Sequence, residues 1–214
     1  LTKEQKEILF ELKDFLNLTD KQISENIFSD NNILAASDTS YLVRNNYLGE
    51  VTRDLKGNGE FTKVYYLTTD GKKAISHITG TETRKIYDSK LHNRPEELRH
   101  DLLVYSAYKD YEKRLKSIDC KITECMTDKQ MRAYDMSNLG HQRTEYSDLY
   151  IEFEDIKTDE KGYINIEVDC GYKPDVIRSK NENIDNLVWY TDTQEQHKRI
   201  MRTVPSANVI MLPF

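Results

Sequence analysis

Two stretches of this chain alternate apolar and polar residues with period two: Ser147-Asp148-Leu149-Tyr150-Ile151-Glu152-Phe153 and Tyr163-Ile164-Asn165-Ile166-Glu167-Val168-Asp169. That is the side-chain period of a β-strand, so each stretch predicts a strand with one buried face, and their closeness in sequence predicts that they are neighbours. Asp148 and Glu167 then project from adjoining strand ends onto one site. Carboxylates held in this way bind a hard divalent cation, Mg²⁺ or Mn²⁺, which takes carboxylate oxygens and substrate phosphates together. The pattern is therefore a candidate phosphodiester-cleaving centre. Asp169, two residues after Glu167 on the same strand face, and Glu124, on an upstream strand-like run, are further candidate ligands. Four converging carboxylates repel one another, so they would need a metal or a proton. The opposing reading is that these acids are solvated charges on an exposed face, as most charge patterns are.

With 214 residues, the chain can hold one large domain or two small ones. Its 37% hydrophobic and 32% charged residues make a polar but globular composition. No run approaches the roughly 18 apolar residues of a membrane helix, and Leu1 opens into a charged amphipathic segment without a signal-peptide pattern. Cys120, Cys125 and Cys170 form no CxxC pair, which suits buried thiols in a reducing cytoplasm. A net charge of −6 counts against indiscriminate coating of nucleic acid, but it leaves room for a local basic surface.

Ile8, Leu9, Leu12, Phe15 and Leu16 recur at helical spacing and predict a first amphipathic helix. Thr19-Asp20-Lys21-Gln22 has the form of a capping box, with a hydroxyl at the cap and a glutamine three residues on, and predicts a shorter second helix. A third is expected from about Ala35 to Asn46, and a glycine-tipped hairpin from Val51 to Leu67. Helix resumes over Thr68 to Ile75. Three helices followed by such a hairpin is the element order of a winged helix-turn-helix, assigned here to residues 1–80. Residues 81–95 read as a linker.

A second domain is expected over 96–214. It opens with a long helix after Pro95, carrying Leu98, Leu102, Leu103, Tyr105, Ala107, Tyr108 and Leu115 on its apolar face. Strand-like runs follow at Ile118–Met126, Ser147–Phe153, Tyr163–Asp169, Asn186–Tyr190 and Ala207–Leu212. A helix between the last two is expected to be capped by Thr191 or Asp192. The whole is α+β, with a second domain of helix, three-strand meander and strand-helix-strand unit.

A winged helix reads duplex DNA with its third helix, so Ser37, Thr39, Ser40, Arg44 and Asn45 are candidates for base edges and phosphates. Arg53, Lys56, Asn58 and Lys63 would hold the backbone from the wing. The opposing reading is a winged helix used only for protein contacts, because acids nearly match bases here and no dense cationic stripe is present. His100 can donate to a phosphate or serve the fold, and nothing pairs it with a nucleophile. Tyr146, Tyr150, Tyr163 and Tyr172 lie near the acids, but among 14 tyrosines each is better read as packing or surface than as a nucleophile.

The blocks Leu-Thr-Lys-Glu-Gln-Lys-Glu-Ile-Leu, Leu-Thr-Asp-Lys-Gln-Ile, Tyr-Tyr-Leu-Thr-Thr-Asp-Gly, His-Asp-Leu-Leu-Val, Ser-Asp-Leu-Tyr-Ile and Glu-Val-Asp-Cys-Gly occur in that order. In this the chain resembles the replication-relaxation family of plasmids and integrative conjugative elements, related to MobC-type relaxases. The likeness runs from Leu1 to about Pro174. It implies an N-terminal winged helix joined to a restriction-endonuclease-like domain of the PD-(D/E)xK type. Asp148 and Glu167 would stand at the two motif acids, with Glu124 as an additional acid. The family's lysine is replaced by Asp169, and only Lys173 is close by to compensate. A missing ammonium bears directly on cleavage, since it orients water and stabilises transition-state charge.

These readings lead to a cytoplasmic DNA-processing protein of a plasmid or conjugative element. It would recognise an origin-like site in double-stranded DNA and nick it with a divalent metal. Its partners would be other mobilisation or replication proteins or a second copy in a homodimer, and no membrane. Two alternatives stay open: a non-catalytic accessory protein, and a winged-helix transcriptional repressor acting at an operator.

Overall fold

The computed structural model describes residues 1–55, 57–83 and 95–212. The fold is mixed α+β, with eight helices and eight strands in two sheets among the described residues. It divides into two compact units, Leu1–Leu102 and Leu103–Phe214. The expected 81–95 linker lies mostly outside the described residues, and so does Lys56. Among the described residues no helix is long and apolar enough to cross a membrane.

In the first unit α1 (Lys3–Phe15) starts on a capping box formed by Thr2 and Gln5 and buries Ile8, Leu9, Leu12 and Phe15. Leu16, with φ of 67°, turns the chain out of the helix. A three-residue strand follows, β1 (Asn17–Thr19), paired antiparallel with Val64–Tyr66. It is too short to leave a periodic signal in sequence. Thr19 and Gln22 then form the expected capping box of α2 (Asp20–Ile27). The third helix, α3 (Asn32–Arg44), begins three residues before Ala35, because the Asn31 side chain accepts the Leu34 amide at 3.2 Å and caps it there.

The hairpin consists of β2 (Leu48–Asp54) and β3 (Phe61–Leu67). The Asp54 carboxylate closes its turn by accepting the amides of Gly57 at 2.7 Å and Gly59 at 2.8 Å, both glycines at positive φ. The sheet order is β1-β3-β2. Thr68 caps α4 (Thr69–Thr79), whose Gly71 is obligatory: a Cβ there would meet the Tyr47 carbonyl oxygen at 2.2 Å.

The division between the units falls inside α5 (Pro95–Ser117). The second unit continues with β4 (Cys120–Thr127), α6 (Asp128–Asn138), β5 (Leu149–Asp155), β6 (Lys161–Val168), α7 (Pro174–Asn183), β7 (Leu187–Thr191), α8 (Gln194–Thr203) and β8 (Asn208–Met211). The strands form one sheet in chain order. β4, β5 and β6 are the expected antiparallel meander, while β6, β7 and β8 run parallel. Parallel neighbours need a crossover, which α7 and α8 supply. The structure thus adds α6 and α7 to the sequence reading, and it moves the cap of α8 to Thr193, whose hydroxyl accepts the Gln196 amide.

Alternation sorts the sheet into two buried faces. Leu149, Ile151, Ile164, Ile166, Val168, Val188 and Tyr190 occupy one, and the Tyr190 hydroxyl donates to Asp110 of α5 at 2.8 Å. Trp189 lies on the other, packed with Ile177 of α7 and Ile200 of α8. Glu167 shares that second face, opposite Trp189 in the parallel register.

Candidate functional site

Asp148 and Glu167 come together. The β5–β6 register pairs Leu149 with Ile166, so one step further along the antiparallel ladder Asp148 stands opposite Glu167. Asp148 is half-buried, and its Oδ2 accepts the Val168 amide at 2.8 Å, which holds the carboxylate against β6. Glu167 is fully buried.

Its counter-charge comes from Lys180 of α7, whose Nζ lies 2.8 Å from Glu167 Oε1. The same ammonium donates to the Tyr146 carbonyl at 3.0 Å and sits 5.5 Å from the Tyr172 ring centroid. Despite that ion pair, neither Glu167 oxygen accepts a hydrogen bond of good geometry. Burial, and then the neighbouring Asp148 charge, push the Glu167 carboxyl up to about 8, against the opposing pull of Lys180. Both causes favour the protonated form of this acid, and Lys180 opposes them.

Lys180 is the base at this acidic pair that sequence reasoning missed. The expected substitute, Lys173, is the exposed N-cap residue of α7 and makes no side-chain cap bond. The ammonium that meets Glu167 lies two helical turns further on. An i, i+7 relation within a recognised helix would have exposed it, but α7 itself was not expected.

The wider convergence of four carboxylates does not form. Asp169 is fully buried, yet Oδ1 accepts the amides of Gly171 at 2.7 Å and Tyr172 at 2.6 Å, and Oδ2 accepts from Arg199 of α8 at 2.7 Å. Both oxygens are thus engaged within the fold. Glu124 is opposite Glu152 in the β4–β5 register. That is four residues from Asp148 along β5, about 13 Å at strand rise, and beyond reach of the pair. Glu124 instead shares a separate cavity of about 260 Å³ with Tyr150 and Glu152. Among the described residues, no group of three His, Cys, Asp or Glu side chains is arranged to hold a metal.

The tyrosines also separate. The Tyr172 hydroxyl is driven well above its ordinary value by burial and by the charges of Glu167 and Asp148, which keeps it protonated and a poor nucleophile. Tyr150 donates to Glu152 at 2.6 Å and is pushed up to about 12, burial being the first cause. The Tyr163 ring lies tilted against that of Tyr150, centroids 5.8 Å apart. His100 of α5 has Nδ1 3.8 Å from Asp101 Oδ1.

In the first unit Ser37, Ser40, Arg44 and Asn45 are exposed on α3 or at its C-cap. Arg44 and Asn45 bond back to helix carbonyls, of Ser40 at 3.2 Å and Tyr41 at 2.8 Å. Thr39 differs from its neighbours on the helix: it is 2% exposed and its hydroxyl donates to Ala35 O at 2.8 Å, which takes it out of the exposed row expected to meet DNA. On the hairpin, Arg53 and Asn58 are exposed, and Lys63 pairs with Glu50 across the strands at 3.3 Å. Sequence reasoning also missed how apolar α3 is on the outside. Ile33 is 83% exposed, and Leu34 and Tyr41 are exposed as well.

No family model, no curated protein and no solved structure matches the chain.

Proposed function

We propose that the chain is a two-unit DNA-processing protein whose second unit cleaves a phosphodiester at Asp148 and Glu167 with a divalent metal. The observation that carries this reading is the opposition of the two acids on adjacent strands, with the Lys180 ammonium 2.8 Å from Glu167. Two carboxylates suit Mg²⁺, which keeps several waters and completes its shell on substrate phosphate. The buried, unsatisfied oxygens of Glu167 are acceptors of the kind such an ion fills. Bound there, the metal would supply Lewis-acid polarisation of the phosphodiester. Asp148, the more exposed acid, presents the pair to substrate. Lys180 offers a fixed positive charge to the negative charge that develops on phosphate oxygens, the part assigned to a lysine at the position of Asp169. The likeness to the replication-relaxation family adds an origin-like site on a plasmid or conjugative element as the DNA to be cut, with a winged helix in the first unit to bind it.

Supercoiled plasmid incubated with the protein and Mg²⁺ or Mn²⁺ tests the reading. Relaxed product is expected from the wild type and at least about a hundredfold less from Asp148→Ala or Lys180→Met, each of which removes a charge at the reacting group. Firm DNA binding with no relaxed product would replace cleavage by the accessory role.

A second reading is favoured by the outer face of α3, where Ile33 and Leu34 are exposed and Arg44 is the one basic residue of the helix. Phosphate binding draws on Lys and Arg, so such a face supports a protein contact by the first unit. Arg44→Ala with Lys56→Ala separates the two: DNA binding predicts lower affinity and a shallower salt slope, a protein contact predicts no change in either.

A further inference from the structure

Lys180 reaches Glu167 from a helix that carries one fully buried side chain, Ile177. What holds its ammonium in place is the segment before β5. Tyr146 O accepts from Lys180 Nζ at 3.0 Å. The residues on either side are tied down as well: Glu145 Oε1 accepts from Ser179 of α7 at 2.6 Å, and Ser147 Oγ donates to Asn165 of β6 at 2.9 Å.

Tyr146 is itself anchored by Asp135 of α6, which is fully buried. The Tyr146 hydroxyl donates to Asp135 Oδ2 at 2.8 Å and accepts the Arg143 amide at 2.8 Å. Arg143 Nε reaches the same Asp135 oxygen at 2.9 Å, and the guanidinium groups of Arg132 and Arg143 lie 4.5 and 5.8 Å from the Tyr146 ring. A buried carboxylate is costly to keep, and apolar residues of similar volume fill a core at least as stably. This one instead fixes the position of one ring, and through it one carbonyl.

We propose that Asp135 and Tyr146 are positioning residues of the acidic site, acting together to hold the carbonyl that directs Lys180 onto Glu167. The proposal rests on the cleavage reading only for its purpose, and the geometry it asserts can be measured without any cleavage.

Amine acylation of the intact chain, followed by mass spectrometry, reads the freedom of Lys180 directly. In Tyr146→Phe the ring remains and the anchor is lost, so Lys180 should label about tenfold faster, the factor that accompanies loss of one charge-assisted hydrogen bond. Lys121 and Lys157, on strand β4 and the β5–β6 turn, should label at wild-type rates. Asp135→Asn, which can still accept from the tyrosine, should fall between the two and serves alone if Tyr146→Phe does not fold. Mn²⁺ affinity in a cycle of Tyr146→Phe with Lys180→Met should be non-additive, since both changes act through one ammonium. An unchanged Lys180 rate in either folded variant overturns the proposal, whether or not the wild type cuts DNA. A wild type that fails to cut, with Lys180 labelling raised in the variants, overturns the cleavage reading alone.

Discussion

Two acids lie two residues apart at the end of β6, both fully buried, both paired with a base from a covering helix, and they do different things. Asp169 accepts two backbone amides and the Arg199 guanidinium. Glu167 has the Lys180 ammonium at 2.8 Å, the Tyr172 hydroxyl and a second carboxylate beside it, and no backbone amide. A buried charge is tolerable in proportion to the hydrogen bonds it receives. By that measure Asp169 is the better satisfied of the two buried acids.

The contrast breaks most readily at Asp169. Asp169→Ala strands Arg199 and two amides in the interior and should cost about 3–5 kcal/mol in urea unfolding; a loss under about 1 kcal/mol would remove the structural role.

Glu167 should behave in the opposite way. Its carboxyl titrates near 8 in the folded protein against an ordinary value of 4.5, so between those values the folded state binds the proton more tightly. Stability is then fully present below about 4.5, declines as pH rises toward 8 and levels off above it. Glu167→Gln should flatten that decline, as followed by urea midpoints across the pH range. A decline equal in both proteins would separate Glu167 from it. The smallest effect tests the helix that anchors Tyr146. Thr127→Ala should cost about 1 kcal/mol by loss of a cap, close to the cost of Thr19→Ala, and an effect at only one position would show that the two caps are not equivalent.

Those two caps also show how much could be read in the sequence. Thr19-Asp20-Lys21-Gln22 and Thr127-Asp128-Lys129-Gln130 are the same four residues, and both fold as capping boxes. The first is legible because Ile23, Ile27 and Phe28 follow it. The second is not, because α6 buries only Met131 and Asp135 and leaves Tyr134 and Met136 exposed, so no apolar period announces it. α7, with Ile177 as its one buried residue, was silent for the same reason.

What the sequence determined by itself is local. Alternation set the β5–β6 pairing and with it the meeting of Asp148 with Glu167, since slipping the register by one residue would turn every side chain to the other face. Glycines and an aspartate set the hairpin turn, and hydroxyls set the caps. Only the tertiary structure decided which base each acid meets: Lys180 lies 13 residues beyond Glu167 and Arg199 lies 30 beyond Asp169. Those partners are chosen by how crossover helices dock on the sheet, and docking depends on packing across the whole layer, which leaves no spacing in the chain to be read.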